Sequence, residues 1–274
     1  LYTNLDVSSP WQRLIKILDR AAPALLIVDA EPTDISHPIQ TTFPSLVVAY
    51  LPELDLHTYS TSFSGPVSHH GGTPAYIMFT SGSTGFPKGA VMSHQNLLNF
   101  IEWGRTTFEI TEADVFTNAN PIYFDNSVFD FYVSLFNGAT LVPLSHSLVK
   151  SPRELVEAIN TSGCTIWFSV PSLLVYLLTT KVLRSNDFPA IRRILFGGEG
   201  FPKNKLKKLY ELVGHRTQLF NVYGPTECTC ICSSYLIGTQ DFENMQELAP
   251  LGYLSPNFGY RIFSADPENP KIGE

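Results

Sequence analysis

Apolar residues fall in short runs between polar, turn-rich stretches, and the rhythm of those runs predicts the elements. After Ser9-Pro10, the residues Trp11, Leu14, Ile15 and Leu18 recur at helical spacing, which predicts a capped helix with proline in its first turn. Ala24–Asp29, a short apolar run ending in a carboxylate, and the unbroken apolar run Leu46–Leu51 read as buried strands. Residues 52–74 are polar, contain His69-His70-Gly71-Gly72, and are the expected linker and subdomain boundary; the histidine pair reads as part of a solvated loop. Ala75–Thr80 is a strand that enters a Ser/Thr/Gly loop, followed by a short strand near Ala90–Met92. Ser93 then opens a helix through Leu97, Leu98 and Ile101. Strands near Leu141 and at Thr165–Ser169, Arg193–Phe196 and Gln218–Val222 alternate with helices after Ser151-Pro152, after Pro171 and across Pro202–Val213. Such alternation implies an α/β fold with largely parallel sheets. Cys228–Ile237 reads as one more strand.

Composition narrows the class. The chain has 274 residues, 44% apolar and 16% charged, a globular balance long enough for a full core. Eighteen Lys and Arg against 25 Asp and Glu give a net charge of −7, and no basic run points to nucleic acid. The longest unbroken apolar runs have six residues, far short of the roughly 20 of a membrane helix. No repeat or low-complexity tract interrupts the pattern. The chain opens at Leu1 without the pattern of a signal peptide and closes at Lys271-Ile-Gly-Glu274, so we expect an internal piece of a longer protein.

The four cysteines, Cys164, Cys228, Cys230 and Cys232, fit small apolar positions in strands. The last three alternate, and alternate strand positions share a face roughly 6.5–7 Å apart, too far for an easy disulfide. No C-x2-C pair suggests a metal, and unpaired thiols fit a reducing cytoplasm.

The chemistry concentrates in the loop after the third strand, Thr80-Ser-Gly-Ser-Thr-Gly-Phe-Pro-Lys88-Gly. Glycines turn backbone N–H groups inward, hydroxyls add donors, and Lys88 adds positive charge, a combination that can wrap a polyphosphate. It is not a Walker A loop, because Pro87 precedes the lysine and Gly89 follows it.

This loop resembles the signature loop of the adenylate-forming superfamily, which includes acyl-CoA synthetases, luciferases, non-ribosomal peptide synthetase adenylation domains and D-alanine–carrier protein ligases. Two further blocks carry the resemblance in the same order: Leu195-Phe-Gly-Gly-Glu-Gly200 and Asn221-Val-Tyr-Gly-Pro-Thr-Glu227. It covers essentially the whole chain and implies stacked α/β/α subdomains forming part of that family's large N-terminal domain. The implied reaction joins a carboxylate to the α-phosphate of ATP, releases pyrophosphate and passes the acyl group to a thiol. By resemblance, Thr80, Ser81, Gly82, Ser83, Thr84 and Gly85 cradle the β- and γ-phosphates, and Lys88 holds or orders that loop. Tyr223 stacks on adenine, Asn221 offers its amide to the base edge, and Gly198, Glu199 and Gly200 line the opposite side. Val222, Gly224 and Pro225 complete the nucleotide block. Thr226 reaches the α-phosphate, and Glu227 is the expected Mg2+ ligand. Thr226, Glu227 and Lys88 are thus the candidate catalytic residues.

The block Phe124-Asp-Asn-Ser-Val-Phe-Asp130 resembles the F-D-x-S block of amino-acid-activating members, whose aspartate pairs with the substrate's α-ammonium. Asp125 occupies that position, although a helix cap would also suit it. An aspartate among aromatic residues is costly unless a cation meets it. By resemblance, Asn126, Phe129, Ser169, Leu195, Gly197, Val222, Cys230 and Ile231 line the side-chain pocket. No second charge is evident there, which points to a small or medium uncharged amino acid. The acceptor is then the phosphopantetheine of a carrier protein. An acyl- or aryl-CoA ligase and a non-catalytic nucleotide-binding module are the alternatives. The resemblance also implies that the ribose-binding aspartate and the small domain's catalytic lysine lie beyond Glu274, so this piece is expected to be inactive alone. Lys203, Lys205, Lys207 and Lys208 read as the solvated face of one helix rather than a substitute.

Overall fold

The computed structural model describes residues 1–29, 36–54, 58, 69–80, 86–263 and 272–273. It forms two compact units, Leu1–Val91 and Met92–Glu274. The boundary expected at 52–74 lies largely outside the described residues.

In the first unit, helix α1 (Trp11–Ala21) buries Leu14, Ile17 and Leu18. Its N-cap is Pro10, with no side-chain cap, so the expected Ser9 cap does not form. Asp6 takes the serines instead: the Ser8 N–H and hydroxyl donate to Oδ1 at 2.9 and 2.6 Å, and the Ser9 hydroxyl donates to Oδ2 at 3.2 Å. Strands β1 (Leu25–Val28) and β2 (Val47–Tyr50) pair in parallel. Helix α2 (Ser36–Thr42) contributes Ile39 to a small core with Leu18 and Leu46. Strand β3 (Pro74–Thr80) pairs with β4 (Lys88–Ser93), as the two runs flanking the hydroxyl-rich loop require.

The second unit is built on a seven-stranded sheet. Its strands are β5 (Val115–Asn118), β6 (Thr140–Pro143), β7 (Ile166–Ser169), β8 (Arg193–Gly197), β9 (Gln218–Tyr223), β10 (Ser233–Leu236) and β11 (Tyr253–Leu254). Their order is β6-β5-β7-β8-β9-β10-β11. The first five are parallel, and β10 and β11 join antiparallel. Every residue of β7 and β8 is buried, as expected of central parallel strands covered on both faces. After the short helix α5 (His146–Val149), helices α6 (Pro152–Ser162), α7 (Pro171–Thr179) and α8 (Lys203–Val213) supply Leu155, Ile159, Leu174, Leu177, Leu206 and Leu209 to the core around Trp167 and Phe196. Helix α3 (His94–Thr107) starts in a capping box, with the Ser93 hydroxyl accepting from the Asn96 N–H at 3.2 Å and Asn96 Oδ1 accepting from the Ser93 N–H at 3.0 Å.

The chain leaves β5 for β6 on one side and returns to β7 on the other, so the winding reverses between β5 and β7. In doubly wound sheets ligands bind outside the carboxyl ends of the strands at such a reversal. The opposite, amino ends are clamped. Asp114 accepts from Arg192 Nε and Nη2 at 2.8 and 2.7 Å, from the Thr165 hydroxyl at 2.7 Å and from the Thr111 N–H at 2.8 Å. Burial pushes the Asp114 carboxyl up, but Arg192 and these hydrogen bonds outweigh it and hold the group at about 2.

Further expectations change. β1 and β2 are not buried strands: Leu25, Ile27 and Val47 are exposed. Cys228–Ile237 is not one strand: Thr226–Cys228 is a 3-10 turn, Thr229 and Cys230 have φ of 62° and 76°, and extended pairing begins at Ser233. Left-handed residues break the two-residue alternation, so the cysteines do not share a sheet face. Lys203 is not solvated either; it is buried, and its ammonium donates to the Asn244 carbonyl at 2.9 Å, while Lys207 and Lys208 are exposed.

Candidate functional site

The carboxyl ends of the parallel strands of the second unit gather most of the residues singled out from sequence. β5 leads to Asp125 and Asn126, β7 ends at Ser169, β8 ends at Leu195 and Gly197, and β9 ends at Val222 and Tyr223. Glycine is required where these ends pack closely. A Cβ on Gly197 would lie 2.4 Å from the Val222 carbonyl oxygen. One on Gly224 would lie 2.3 Å from the Cys230 carbonyl and 2.7 Å from the Ile231 Cα, so only glycine lets this turn fold against the 230–232 segment.

That fold-back brings two distant motifs together: the Thr226 hydroxyl faces the Asp125 carboxyl, and Glu227 is close enough to act on its charge. Asp125 stands at the N-cap position of the short helix α4 (Asn126–Val128) but makes no side-chain cap. Its carboxyl is half-buried. Burial pushes it above the usual carboxylate range, Thr226 and the Asn126 N–H partly offset that, and Glu227 adds to it. Among the described residues no lysine or arginine forms an ion pair with Asp125.

Most of the nominated pocket residues are buried in the second unit. Asn126 is half-buried, whereas Phe129, Ser169, Leu195, Gly197, Val222, Cys230 and Ile231 are buried. Phe129 belongs to an aromatic core, edge-to-face with Phe108 and Phe168 at centroid distances of 5.7 and 5.4 Å. Cys230 lies near both Asp125 and Asp130, and burial pushes its thiol far up. A separate cleft lined by Asn96, Trp103, Cys228 and Phe258 includes Ile231 from the nominated set.

The nucleotide candidates divide. Tyr223 is 47% exposed, leaving its ring open for stacking, and Thr226 and Glu227 are half-buried and exposed. Asn221 is committed inward: it is buried, and its Nδ2 donates to the Ala249 and Pro250 carbonyls at 3.3 and 2.8 Å. Glu199 turns its carboxylate to the start of α7, accepting from the Ser172 N–H at 3.2 Å. Gly198 adopts φ 89°, and Gly198 and Gly200 present exposed backbone. In the first unit, Thr80 ends β3 with its hydroxyl donating to the Lys88 carbonyl at 3.4 Å, and Lys88 is exposed. Ser81, Gly82, Ser83, Thr84 and Gly85 lie outside the described residues.

For Mg2+, Glu227 is suitable: an exposed carboxylate with no ion pair among the described residues. No group of three or more His, Cys, Asp or Glu side chains that could hold a metal gathers among the described residues. Sequence reasoning missed a second carboxyl in this region. Asp130 is fully buried, one residue past Phe129, and Asn120 donates to it at 3.0 Å. Its signal was only its place five residues after Asp125.

No helix among the described residues is long and apolar enough to cross a membrane. Comparison with known proteins agrees with the resemblance. The chain is 33% identical over 266 residues to an L-proline--[L-prolyl-carrier protein] ligase of Streptomyces coelicolor, covering 92% of this chain and 50% of that protein. It is 31% identical over 277 residues to a D-alanine--D-alanyl carrier protein ligase of Bacillus licheniformis, covering 100% and 53%. It thus spans about half the length of the curated relatives it matches. The crystal structure of IdnL7 superposes with a TM-score of 0.78 at 25% identity, over 96% of this chain and 54% of that one. The Vibrio cholerae adenylation domain AlmE, solved with glycyl-adenosine-5'-phosphate, shares the fold at a TM-score of 0.71 and 23% identity, over 91% and 50%. The AMP-binding enzyme family matches residues 1–274, the entire chain. This chain therefore belongs to the AMP-binding enzyme family.

Proposed function

We propose that this chain activates an amino acid as its adenylate at the expense of ATP, releasing pyrophosphate, for transfer to the phosphopantetheine thiol of a carrier protein. The observation that carries the amino-acid reading is Asp125: a half-buried carboxyl at the winding reversal, without a cationic partner among the described residues. An α-ammonium would supply the missing charge and relieve the cost of burial.

The rest of the reaction is electrostatic positioning. Thr80, Ser81, Gly82, Ser83, Thr84, Gly85 and Lys88 would bind the β- and γ-phosphates. Tyr223 would stack on the base, with Gly198, Glu199 and Gly200 opposite and Asn221, Val222, Gly224 and Pro225 shaping the turn. Thr226 would share its hydroxyl between Asp125 and the α-phosphate, orienting the substrate carboxylate for attack. Glu227 would hold Mg2+, which supplies positive charge to the phosphates. Asn126, Phe129, Ser169, Leu195, Gly197, Cys230 and Ile231 would bound the side chain, and their bulk favours a small or medium uncharged one. The named relatives, which load L-proline and D-alanine on carrier proteins, support this class.

The test is ATP–pyrophosphate exchange by the full-length protein over a panel of amino, fatty and aryl acids. Exchange with an uncharged amino acid that Asp125→Ala abolishes supports the proposal. Exchange confined to acids without an amino group overturns the role of Asp125 and assigns an acyl- or aryl-CoA ligase.

A further inference from the structure

We propose that Asp130 and Asn120 form a tie that fixes the separation of the two walls of the amino-acid pocket, making Asp130 a positioning residue for the substrate. The inference rests on the function proposed above and deepens it.

β5 and β7 are neighbours in the sheet but share a single register pair, Phe116↔Ile166, whereas β7 and β8 share four. Beyond that pair Asn120 takes over the connection. Its Nδ2 donates to Asp130 Oδ2 and to the Phe168 carbonyl, both at 3.0 Å. Asn118 steadies it by donating to the Asn120 carbonyl at 2.9 Å. Phe168 immediately precedes Ser169, and Asp130 immediately follows Phe129. One carboxamide therefore joins the segment that bears Asp125, Asn126 and Phe129 to the strand that bears Ser169.

The local backbone is shaped around this contact. Asp130 lies in a five-residue π-helical turn, Phe129–Val133, a wide turn of the kind that often marks functional sites. The Ser134 hydroxyl closes the turn by donating to the Asp130 carbonyl. Asp130 is 0% exposed, and its Oδ1 has no hydrogen-bond partner among the described residues. No lysine or arginine forms an ion pair with it there, and its titratable neighbours are the thiols of Cys164 and Cys230. Burial pushes the carboxyl well above its ordinary range, and the Asn120 and Asn118 amides partly offset that. Two carboxyls five residues apart thus divide the work, Asp125 meeting the substrate's charge and Asp130 bracing the wall.

The tie needs a carbonyl oxygen of the right reach, not a charge. Asp130→Asn preserves that oxygen and Asp130→Ala removes it. In the full-length protein, Asp130→Ala is expected to raise the KM of the activated acid about tenfold or more while the KM for ATP changes less than about threefold. Asp130→Asn should recover most of the loss. Hydrogen exchange followed by mass spectrometry should quicken in segments 125–134 and 166–171 for Asp130→Ala, and for Asn120→Ala, which tests the same tie if the first variant misfolds. Asp130→Asn as damaging as Asp130→Ala, a parallel rise in both KM values, or unchanged hydrogen exchange in both alanine variants would overturn the tie. Should the wild type activate only acids lacking an amine, the amino-acid reading fails alone, because the KM of that acid and the exchange rates still decide the tie.

Discussion

In the proposed site, Asp125 would serve binding at the expense of stability. Its carboxyl is raised by burial, so the unfolded chain ionises first and the folded state is disfavoured as pH rises through that window. Asp125→Asn is therefore expected to raise the thermal midpoint of the unliganded protein at neutral pH while weakening amino-acid binding, which calorimetry and exchange kinetics would read together. Only the ionised form pairs with an ammonium, so the amino-acid KM should climb as pH falls through the Asp125 titration. The Asp125→Asn variant should lose that dependence. A flat wild-type profile would contradict the pairing.

At the scale of elements, caps and close approaches decide which segments hold. Helix α3 begins in the Ser93–Asn96 capping box, and Ser93→Ala should lower stability by about 1 kcal/mol in denaturant unfolding. The turn after β9 is more exacting. Gly224→Ala would drive a Cβ into the backbone of residues 230–231, which cannot give way as a flexible side chain could. We expect near-native circular dichroism but severe loss of pyrophosphate exchange, because the clash displaces Thr226 and Glu227; unchanged exchange would remove that turn from the site. The same turn explains why the alternating cysteines mislead. Side-chain pattern carries the period of a strand, but Thr229 and Cys230 adopt left-handed backbone that a cysteine or threonine side chain does not announce.

The second unit as a whole is organised from both ends of its sheet. Asp114, Arg192, Thr165 and Thr111 clamp the amino ends, leaving the carboxyl ends to the candidate site. The Asp114 carboxyl is held near 2, below its ordinary value of 3.8, so its contribution is present above about pH 4 and lost as pH falls toward 2. That contribution is on the order of 2 kcal/mol. Acid titration of stability should therefore show a loss in this window that Asp114→Asn largely abolishes, with the variant weaker at neutral pH. An identical acid profile in the variant would place the loss elsewhere.

The strand–helix alternation of the second unit's parallel sheet was legible from residue pattern, because central parallel strands are apolar throughout and proline or serine marks the helix starts at Ser93, Pro152 and Pro171. The family was legible for a different reason: the motifs that carry the resemblance are local, made of contiguous residues. What tertiary structure decided was long-range pairing. Only the folded sheet brings Thr226 to Asp125 across about a hundred positions, joins Asn120 to both Phe168 and Asp130, turns Asn221 inward and buries Lys203. Sequence specifies which groups a segment offers; the winding reversal between β5 and β7 determines which of them meet, and burial then raises both carboxyls, Asp130 further than Asp125.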